Sequence, residues 1–358
     1  MKLWCLTTSS PRGLARRAEQ AEQAGWAGLG VTDSQNLAGD AWIALGVAAL
    51  ATERLELGTS VTNPVTRHPA VTAAAAHSLA VLAGDRVTIG IGRGDSSLAH
   101  LGRAPASVAM TERYVQVLRR YLRGEPVAFE ALGFSEATAP DVSTLGLADT
   151  PSASRLVWRA EDDPIVSVEV AATGPKVIAA AARSADRIVF ALGADEERIA
   201  WGMETAKKAR AEAGLDADGI EFAAYLNLMC HPDLEKARAL VAGGLTTFAR
   251  FSIMHGRVQG PADEGMRGVM ENLHSAYDMK QHTRADSNQA QTLTPEFIDR
   301  YAIVGDEETC VARLRAIEAL GISKAILIGA TSGVDVAEAR RAGAFLAQGV
   351  LPAFAPSA

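Results

Sequence analysis

Two short apolar segments of the sequence end in residues that could bind and transform a small molecule. Residues 55–69 read LELGTSVTNPVTRHP and residues 87–95 read VTIGIGRGD, so each begins as a strand and ends in Gly, Ser, Thr and charged side chains. The second segment ends in Asp95, and a strand predicted over residues 28–32 ends in Asp33. In parallel α/β folds the catalytic groups lie at such strand ends. We therefore expect Asp33 and Asp95 to be candidate catalytic carboxylates.

A later turn has the features of an anion-binding site. A strand predicted over residues 165–171 continues through Thr173, Gly174, Pro175 and Lys176 directly into a helix. Free backbone N–H groups at the start of a helix attract anions, and Lys176 adds a positive charge. The alternative is a plain strand-to-helix turn that binds nothing, and the sequence leaves both interpretations open.

Histidines offer acid–base or ligand chemistry in two further places. His68 follows Arg67 and precedes Pro69 at a helix start, where the pair could meet a phosphate or acidic tail, or His68 could simply cap the helix. A polar stretch over residues 255–301 contains side chains that could face a substrate or lie on the surface of a loop: His255, His274, Tyr277 and His282. No metal site is expected, because neither H-x-H after the first strand nor H-E-x-x-H is present.

These residues need a scaffold that brings strand ends together, and the alternation of elements along the chain predicts one. Eight strands alternate with helices, and they are predicted over residues 2–6, 28–32, 55–59, 87–92, 165–171, 187–191, 221–229 and 324–328. This pattern favours a closed (β/α)8 TIM barrel of the α/β class. A Rossmann-type two-domain protein is the alternative, but the glycines Gly90, Gly92 and Gly94 form only G-x-G-x-G and not the complete dinucleotide motif.

Two irregular stretches interrupt this alternation. Residues 124–163 are rich in Pro, Ser, Thr, Asp and Gly and show no sustained period. Because the alternation resumes directly afterwards, we interpret them as an insertion over the barrel mouth rather than a linker between domains. Residues 255–301 form the second insertion. The sequence thus predicts a single domain over residues 1–358, with insertions at the C-terminal face that frame a substrate pocket.

Composition excludes several classes of function. The 358 residues are 48% hydrophobic and 22% charged, which is enough for a large core. A formal charge of −7 with scattered Lys and Arg argues against a nucleic-acid partner. No window approaches the roughly 18 apolar residues of a membrane span, and the N-terminus lacks the apolar core of a signal peptide. The cysteines Cys5, Cys230 and Cys310 lie far apart, as expected for free thiols in a reducing, cytoplasmic compartment.

The motifs of the third and fourth strands together resemble a known family. The run GTSVTNPVTRHPAVTAAAAHSLAVL, followed by IGIGRGDSSLAHLG, is similar to the bacterial luciferase-like flavin-dependent oxidoreductases. Within that family the chain resembles the branch of F420-dependent methylenetetrahydromethanopterin reductase. The resemblance extends over residues 2–352 and implies a TIM barrel that binds a flavin or the deazaflavin coenzyme F420.

The resemblance also implies which residues meet the cofactor. Asp33 corresponds to an acidic residue beside the flavin ring. The other implied positions are a bulge behind the ring (Ser60, Val61 and Thr62), the strand-four loop beneath it (Gly92, Arg93, Gly94 and Asp95), and a phosphate side (Thr173, Gly174, Pro175, Lys176, Leu192 and Gly193). In the resembling enzymes the bulge carries a non-prolyl cis peptide, so we predict a cis bond between Ser60 and Val61. A flat flavin ring needs an apolar slot, and glycines at the strand ends leave space for it because they have no side chain. The alternative is that these glycines serve only the packing of the strand ends.

One position departs from the family's pattern. Many luciferase-like enzymes place a His directly after the acidic residue of the second strand, where it serves acid–base chemistry, whereas this chain has Ser34. Asp95 could supply a carboxyl group instead, because a carboxyl group withdrawn from water can exchange a proton nearer neutral pH. The alternative is that Asp95 only caps the segment that follows it.

Three functions fit the resemblance, and the fold alone does not separate them. The first is hydride transfer between F420 and a small organic substrate. The second is an FMN-dependent monooxygenase, and the third is a non-catalytic flavin-binding protein, which the absence of the His would suit. We predict F420 as the cofactor with FMN as the alternative. We also expect a small-molecule substrate, a flavin or F420 reductase as partner, and a homo-oligomer.

Overall fold

Within residues 1–355, which the computed structural model describes, nine strands form one parallel sheet that closes into a barrel. They are β1 (Lys2–Thr8), β2 (Gly28–Thr32), β3 (Glu56–Thr62), β4 (Val87–Ile91), β5 (Ser167–Ala172), β6 (Arg187–Phe190), β7 (Glu221–Cys230), β8 (Ile303–Gly305) and β9 (Ile322–Ile328). Eight of them pair in the order β1-β2-β3-β4-β5-β6-β7-β9, and β9 pairs with β1. The TIM barrel predicted from the sequence is confirmed.

Helices connect the strands around this barrel. They are α1 (Pro11–Gln23), α2 (Ala41–Ala51), α3 (Pro69–Ala83), α4 (Ser96–Ala99), α5 (Val108–Leu122), α6 (Pro175–Ser184), α7 (Glu196–Glu212), α8 (Leu234–Phe251), α9 (Glu264–Ala276), α10 (Pro295–Tyr301), α11 (Glu307–Ala319) and α12 (Val336–Phe345). The side chains of Asp40 and Asp195 accept N–H hydrogen bonds at the starts of α2 and α7. Such caps explain why these helices begin where the sequence predicts. In the described part of the chain, no helix is both long and apolar enough to cross a membrane.

Strand β3 extends beyond its predicted end. The sequence predicts a strand over residues 55–59 and then a loop, whereas β3 continues to Thr62. Its pairing with β4 shifts register between Thr59 and Thr62, so the bulge expected at this place lies inside the strand. The peptide bond between Ser60 and Val61 is cis, as predicted.

The second predicted insertion is more ordered than expected. Residues 255–301 are not irregular throughout, since they contain α9 and α10, which pack with α8 in a hydrophobic cluster of their own. Neither α8 nor β8 is among the elements predicted from the sequence. Strand β8 pairs with the last three residues of β7, while β9 pairs with the earlier part of the same strand.

The first predicted insertion packs against α3. Phe134 stacks on His68 at the start of α3, with ring centroids 4.5 Å apart. Asp163 contacts the His77 ring of the same helix at 2.9 Å, and Trp158 packs on that ring. Among the described residues, those that line the central cavity include none from residues 124–163. The structure therefore gives no support to the expectation that this segment frames the substrate pocket, since its aromatic side chains pack on α3 instead.

A buried ion pair forms part of the barrel interior. Lys324 of β9 donates to Glu169 of β5, and the two residues are 2% and 1% exposed. The Lys324 ammonium nitrogen lies 4.1 Å from the ring centroid of Trp4 on β1. Pairing of this kind offsets the cost of removing two charges from water. On the same strands, Leu6 and Ile328 line the cavity nearer the C-terminal ends, so the ion pair belongs to the floor beneath it.

Candidate active site

A cavity of about 1200 Å³ lies at the C-terminal ends of the barrel strands. This volume exceeds the roughly 300–1,000 Å³ of pockets for single small ligands, so a cofactor and a substrate could bind together. Most of the site residues predicted from the sequence line it: Asp33, Ser60, Val61, Gly92, Arg93, Gly94, Asp95, Thr173, Gly174, Pro175, Lys176, His255 and His282. Residues from distant parts of the chain are thus brought to one place.

Asp33 is a buried carboxylate in the wall of this cavity. It is 4% exposed and accepts hydrogen bonds from the Thr62 hydroxyl at 2.7 Å and the Gln35 amide at 3.1 Å. Burial raises the pKa of Asp33, although the hydrogen bond from Thr62 and the nearby Arg67 guanidinium oppose the increase. A carboxyl group of this kind can exchange a proton closer to neutral pH than an exposed one. Thr62 itself does not line the cavity, so its contact is with Asp33.

Arg67 and His68 lie outside the cavity lining. The Nδ1 atom of His68 accepts the N–H of Ala70 at 3.2 Å, which makes His68 the cap of α3. Arg67 forms an ion pair with Asp40, the cap of α2. Of the two alternatives for His68, the structure matches the capping role, and its position gives no support for phosphate binding.

The bulge of β3 forms the wall next to Asp33. The Ser60 hydroxyl lies 2.8 Å from the hydroxyl of Tyr225 on β7. A Cβ atom at Gly92 would lie 2.5 Å from a methyl carbon of Val61, so only glycine at this position lets Val61 pack as it does. Tyr225 was missed in the sequence because an aromatic residue within a hydrophobic strand is the usual signal of core packing.

Asp95 belongs to a polar cluster that connects the loop after β4 to α8. Arg250 of α8 donates to its carboxylate, and the guanidinium carbon lies 4.5 Å from the ring centroid of Tyr277. The Tyr277 hydroxyl in turn lies 2.7 Å from Nδ1 of His282. Tyr277 does not itself line the cavity in the described part of the chain, so it meets the cavity through His282. Arg250 is 8% exposed and was missed in the sequence. The signal that could have identified it is a basic residue near the end of a mostly apolar helical segment.

Three further predicted residues are not brought into the cavity. The Leu192 carbonyl accepts from Arg198 at 3.0 Å, and a Cβ at Gly193 would lie 2.6 Å from the Tyr301 ring. Neither Leu192 nor Gly193 lines the cavity in the described part of the chain, so their expected position on the phosphate side stays a prediction. His274 lies exposed on α9, outside the cavity lining, so its predicted contact with substrate is not supported.

Basic side chains lie along the rim of the cavity. The turn at Thr173 and Gly174 leads into α6, with Pro175 at its first position and Lys176 exposed beside it. Arg257 and Lys280, which the sequence did not single out, also line the cavity and are exposed. This donor set is suited to an anionic group at the mouth.

The chain is similar to proteins of one family along most of its length. Residues 3–324 match the family model described as luciferase-like monooxygenase. The 5,10-methylenetetrahydromethanopterin reductase of Methanolobus tindarius is 24% identical over 332 residues, which is 87% of this chain and 89% of the relative. The F420-dependent glucose-6-phosphate dehydrogenase of Beutenbergia cavernae is 32% identical over 254 residues, 65% of this chain and 68% of the relative.

A solved structure shows the same fold. The coenzyme F420 dependent tetrahydromethanopterin reductase from Methanopyrus kandleri superposes with a TM-score of 0.73 at 20% identity, and the match covers 99% of each chain. The match of the family model over residues 3–324 agrees with the resemblance carried by the third and fourth strands. The chain therefore belongs to the luciferase-like monooxygenase family and is an oxidoreductase.

Proposed function

We propose that this protein transfers a hydride between coenzyme F420 and a small organic molecule. The observation that carries the proposal is a large cavity with the β3 bulge at one wall and cationic side chains at its rim. Two relatives named for F420-dependent or methanopterin reactions support the choice of cofactor. The cavity has room for a second molecule beside the cofactor, as a bimolecular transfer requires.

The residues present fit a deazaflavin. When bound, the deazaflavin supplies the ring carbon that gives or takes the hydride. Val61 and Gly92 would support the flat ring from behind, since they form a wall without polar side chains. The turn at Thr173 and Gly174, with Lys176, would hold the anionic tail through backbone N–H groups and one positive charge.

The two carboxylates have different surroundings, and we assign them different roles. Asp33 lies next to the bulge, and its raised pKa suits it to hold or release a proton at the ring edge or at the substrate. Asp95 is fixed by its ion pair with Arg250. We propose that Asp95 orients Arg250 and, through it, the Tyr277 ring on which the guanidinium lies.

An FMN-dependent monooxygenase is the second candidate, because the family model that matches is described by that activity. In this case FMN would occupy the same wall, and a flavin reductase would be needed as partner. The non-catalytic alternative, which Ser34 in place of an acid–base His had suggested, is not carried further, because the chain belongs to a family of oxidoreductases.

Direct titration separates these candidates. Purified protein is titrated with F420 and, separately, with FMN, and quenching of cofactor fluorescence gives the two dissociation constants. We expect F420 to bind at least about tenfold more tightly, a difference of about 1.4 kcal/mol. Tight FMN binding without F420 binding would favour the monooxygenase, and binding of neither would exclude a flavin function.

A turnover assay then tests for catalysis. Reduced F420 is mixed with a panel of small ketones, aldehydes and imines, and oxidised F420 with the matching alcohols and amines. The change in cofactor absorbance reports transfer. Cofactor binding with no turnover across the panel in either direction would refute hydride transfer to these classes of substrate.

A further inference from the structure

We propose that His282 is the acid–base residue for the substrate and that Tyr277 is its proton partner. This inference rests on the proposed hydride transfer and supplies the group that is missing where the chain has Ser34. His282 comes from the second insertion and lines the same cavity as the β3 bulge. The assignment follows from its place in the barrel, its hydrogen bond and its charge.

The position of His282 suits a substrate bound over the cofactor. In the closed strand order, β3 and β7 are four places apart, so they face each other across the barrel. The Tyr277 hydroxyl, which contacts His282, also contacts Thr247, and Arg250 lies over the Tyr277 ring. Thr247 and Arg250 belong to α8, the helix that follows β7. A ring resting on the Val61 bulge of β3 would share this cavity with His282, which is held towards α8 through Tyr277 and Thr247.

The hydrogen bonds of His282 leave one ring nitrogen for a ligand. Nδ1 lies 2.7 Å from the Tyr277 hydroxyl, which itself lies 3.3 Å from the Thr247 hydroxyl. Within residues 1–355, this contact with Tyr277 is the hydrogen bond that the ring makes, so Nε2 is available in the cavity wall. In a neutral imidazole one nitrogen donates and the other accepts, and the partner of Nδ1 decides which is which.

The surroundings keep this imidazole uncharged. Burial lowers the pKa of His282 to about 4; the negative charge of Asp95 opposes the change, and the positive charges of Arg250 and His100 reinforce it. At neutral pH the ring is therefore neutral. A neutral imidazole can pass a proton through its two nitrogens without storing a positive charge.

The resulting proton transfer balances in both directions. In reduction of a carbonyl, the hydride adds to carbon, the Nε2 proton moves to the carbonyl oxygen, and the Tyr277 proton moves to Nδ1. The Thr247 hydroxyl returns a proton to Tyr277 in the same relay, so that no phenolate accumulates, in keeping with the pKa of Tyr277, which burial raises. Thr247 lines the cavity and recovers its proton from water there. Oxidation of an alcohol starts from the tautomer with the proton on Nδ1. The hydride leaves carbon, Nε2 takes the hydroxyl proton, Nδ1 gives its proton to the Tyr277 oxygen, and Tyr277 passes its own proton to Thr247 and on to water in the cavity.

Chemical labelling tests the charge and accessibility of His282 without any cofactor. The full chain is treated with diethylpyrocarbonate, which acylates neutral imidazole, over a series of pH values, and the rate at each His is read by peptide mass spectrometry. We expect the rate at His282 to fall with a midpoint near 4, whereas an ordinary exposed histidine titrates near about 6.5. A midpoint for His282 equal to that of the exposed His274, or no labelling of His282, would overturn the proposal.

Matched variants test the catalytic role. His282→Gln should lower kcat by roughly 10²- to 10⁴-fold on any compound of the panel that turns over, with F420 affinity unchanged. Tyr277→Phe should lower kcat less and alter the pH profile, since Nδ1 loses its partner. The control His274→Gln changes a histidine of the same segment outside the cavity and should have no effect. Retention of turnover in His282→Gln would refute the role.

The two proposals fail in distinguishable ways. If the unmodified protein binds no F420, the proposed function is lost, while the labelling midpoint still reports whether His282 is a neutral, accessible imidazole. If F420 binds and turnover occurs but His282→Gln matches the control, the hydride-transfer function stands and the role of His282 does not.

Discussion

The Thr62 hydroxyl donates a 2.7 Å hydrogen bond to the buried carboxylate of Asp33 and so connects the β3 bulge to the end of β2. This bond favours the charged carboxylate and opposes the increase in the Asp33 pKa that burial causes. Thr62→Val should raise the Asp33 pKa further and move the acidic limb of the pH–activity profile to higher pH. Thr66→Val, which removes a nearby hydroxyl bonded to Gln35, is the control. An unchanged limb in Thr62→Val would exclude Asp33 from proton transfer.

The raised pKa of Asp33 also predicts how stability depends on pH. The folded chain holds this proton more tightly than the unfolded chain, whose Asp titrates near about 3.9, so the stability this provides is lost as pH rises through the folded pKa. Asp33→Asn should therefore increase the free energy of unfolding at neutral pH and change it little in acid below the unfolded pKa. Urea unfolding across this pH range measures both. An Asn variant that becomes less stable relative to wild type as pH rises would contradict the assignment.

Gly92 is predicted to be intolerant of any side chain. Because a Cβ atom here would lie 2.5 Å from Val61, Gly92→Ala should displace the bulge, lower cofactor affinity and cost roughly 1–3 kcal/mol of stability. Gly268→Ala is a matched control in α9, where an added Cβ meets nothing within 4 Å, and it should stabilise the helix by about 0.5–1 kcal/mol. Wild-type cofactor affinity in Gly92→Ala would show that the bulge does not support the ring.

The role of Asp95, either orienting Arg250 or transferring a proton, can be decided by measuring kcat and its dependence on pH in one variant. If Asp95 only orients Arg250, Asp95→Asn should lower kcat and leave the shape of the pH–rate profile unchanged, with cofactor affinity preserved. If Asp95 carries the proton, one limb of the profile should disappear instead. Equal losses of turnover and cofactor affinity would make it a binding residue.

The exposed apolar side chains on α2 and α3 support the expectation of a homo-oligomer and indicate where its contact would form. Neither helix contains an Asp, Glu, Lys or Arg, and the exposed side chains include Ile43 at 62%, Leu50 at 75% and Val81 at 57%. Such a surface suits a two-fold contact with a second copy. Leu50→Glu should shift the mass measured by light scattering towards the monomer, while Leu215→Glu, at an exposed leucine beyond α7, should not. A monomeric wild-type chain would refute the expectation.

The barrel could be predicted from the sequence because local patterns decide where its elements begin and end. Strand β2 has its predicted bounds, and Asp40 and Asp195 mark the starts of α2 and α7 as capping residues. The bulge and its cis peptide were predicted only through the family resemblance, since no period or composition marks Ser60 and Val61.

The missed residues of the site depend on contacts between distant segments. Arg250 and Asp95 are 155 positions apart and Ser60 and Tyr225 are 165 apart, so neither pair leaves a local pattern. The family resemblance placed Leu192 and Gly193 on the phosphate side, and in the structure the Tyr301 ring from α10 packs beside Gly193. The sequence could not indicate this packing because α10 lies in a stretch interpreted as irregular.

The hydrophobic cluster that contains α8, α9 and α10 is separate from the main core of the barrel. Its members, such as Leu245, Met270 and Phe297, do not belong to the main cluster that supports β2, β3 and β4. Such a unit can open in sub-global fluctuations while the barrel stays folded. Asp33 and Val61 belong to the strand ends of the barrel. Arg250 lies on α8, and Tyr277 and His282 follow α9, so these three belong to the segment of the separate cluster. A ligand that bridges the two will therefore couple their opening equilibria, and its binding free energy will include the work of holding them together.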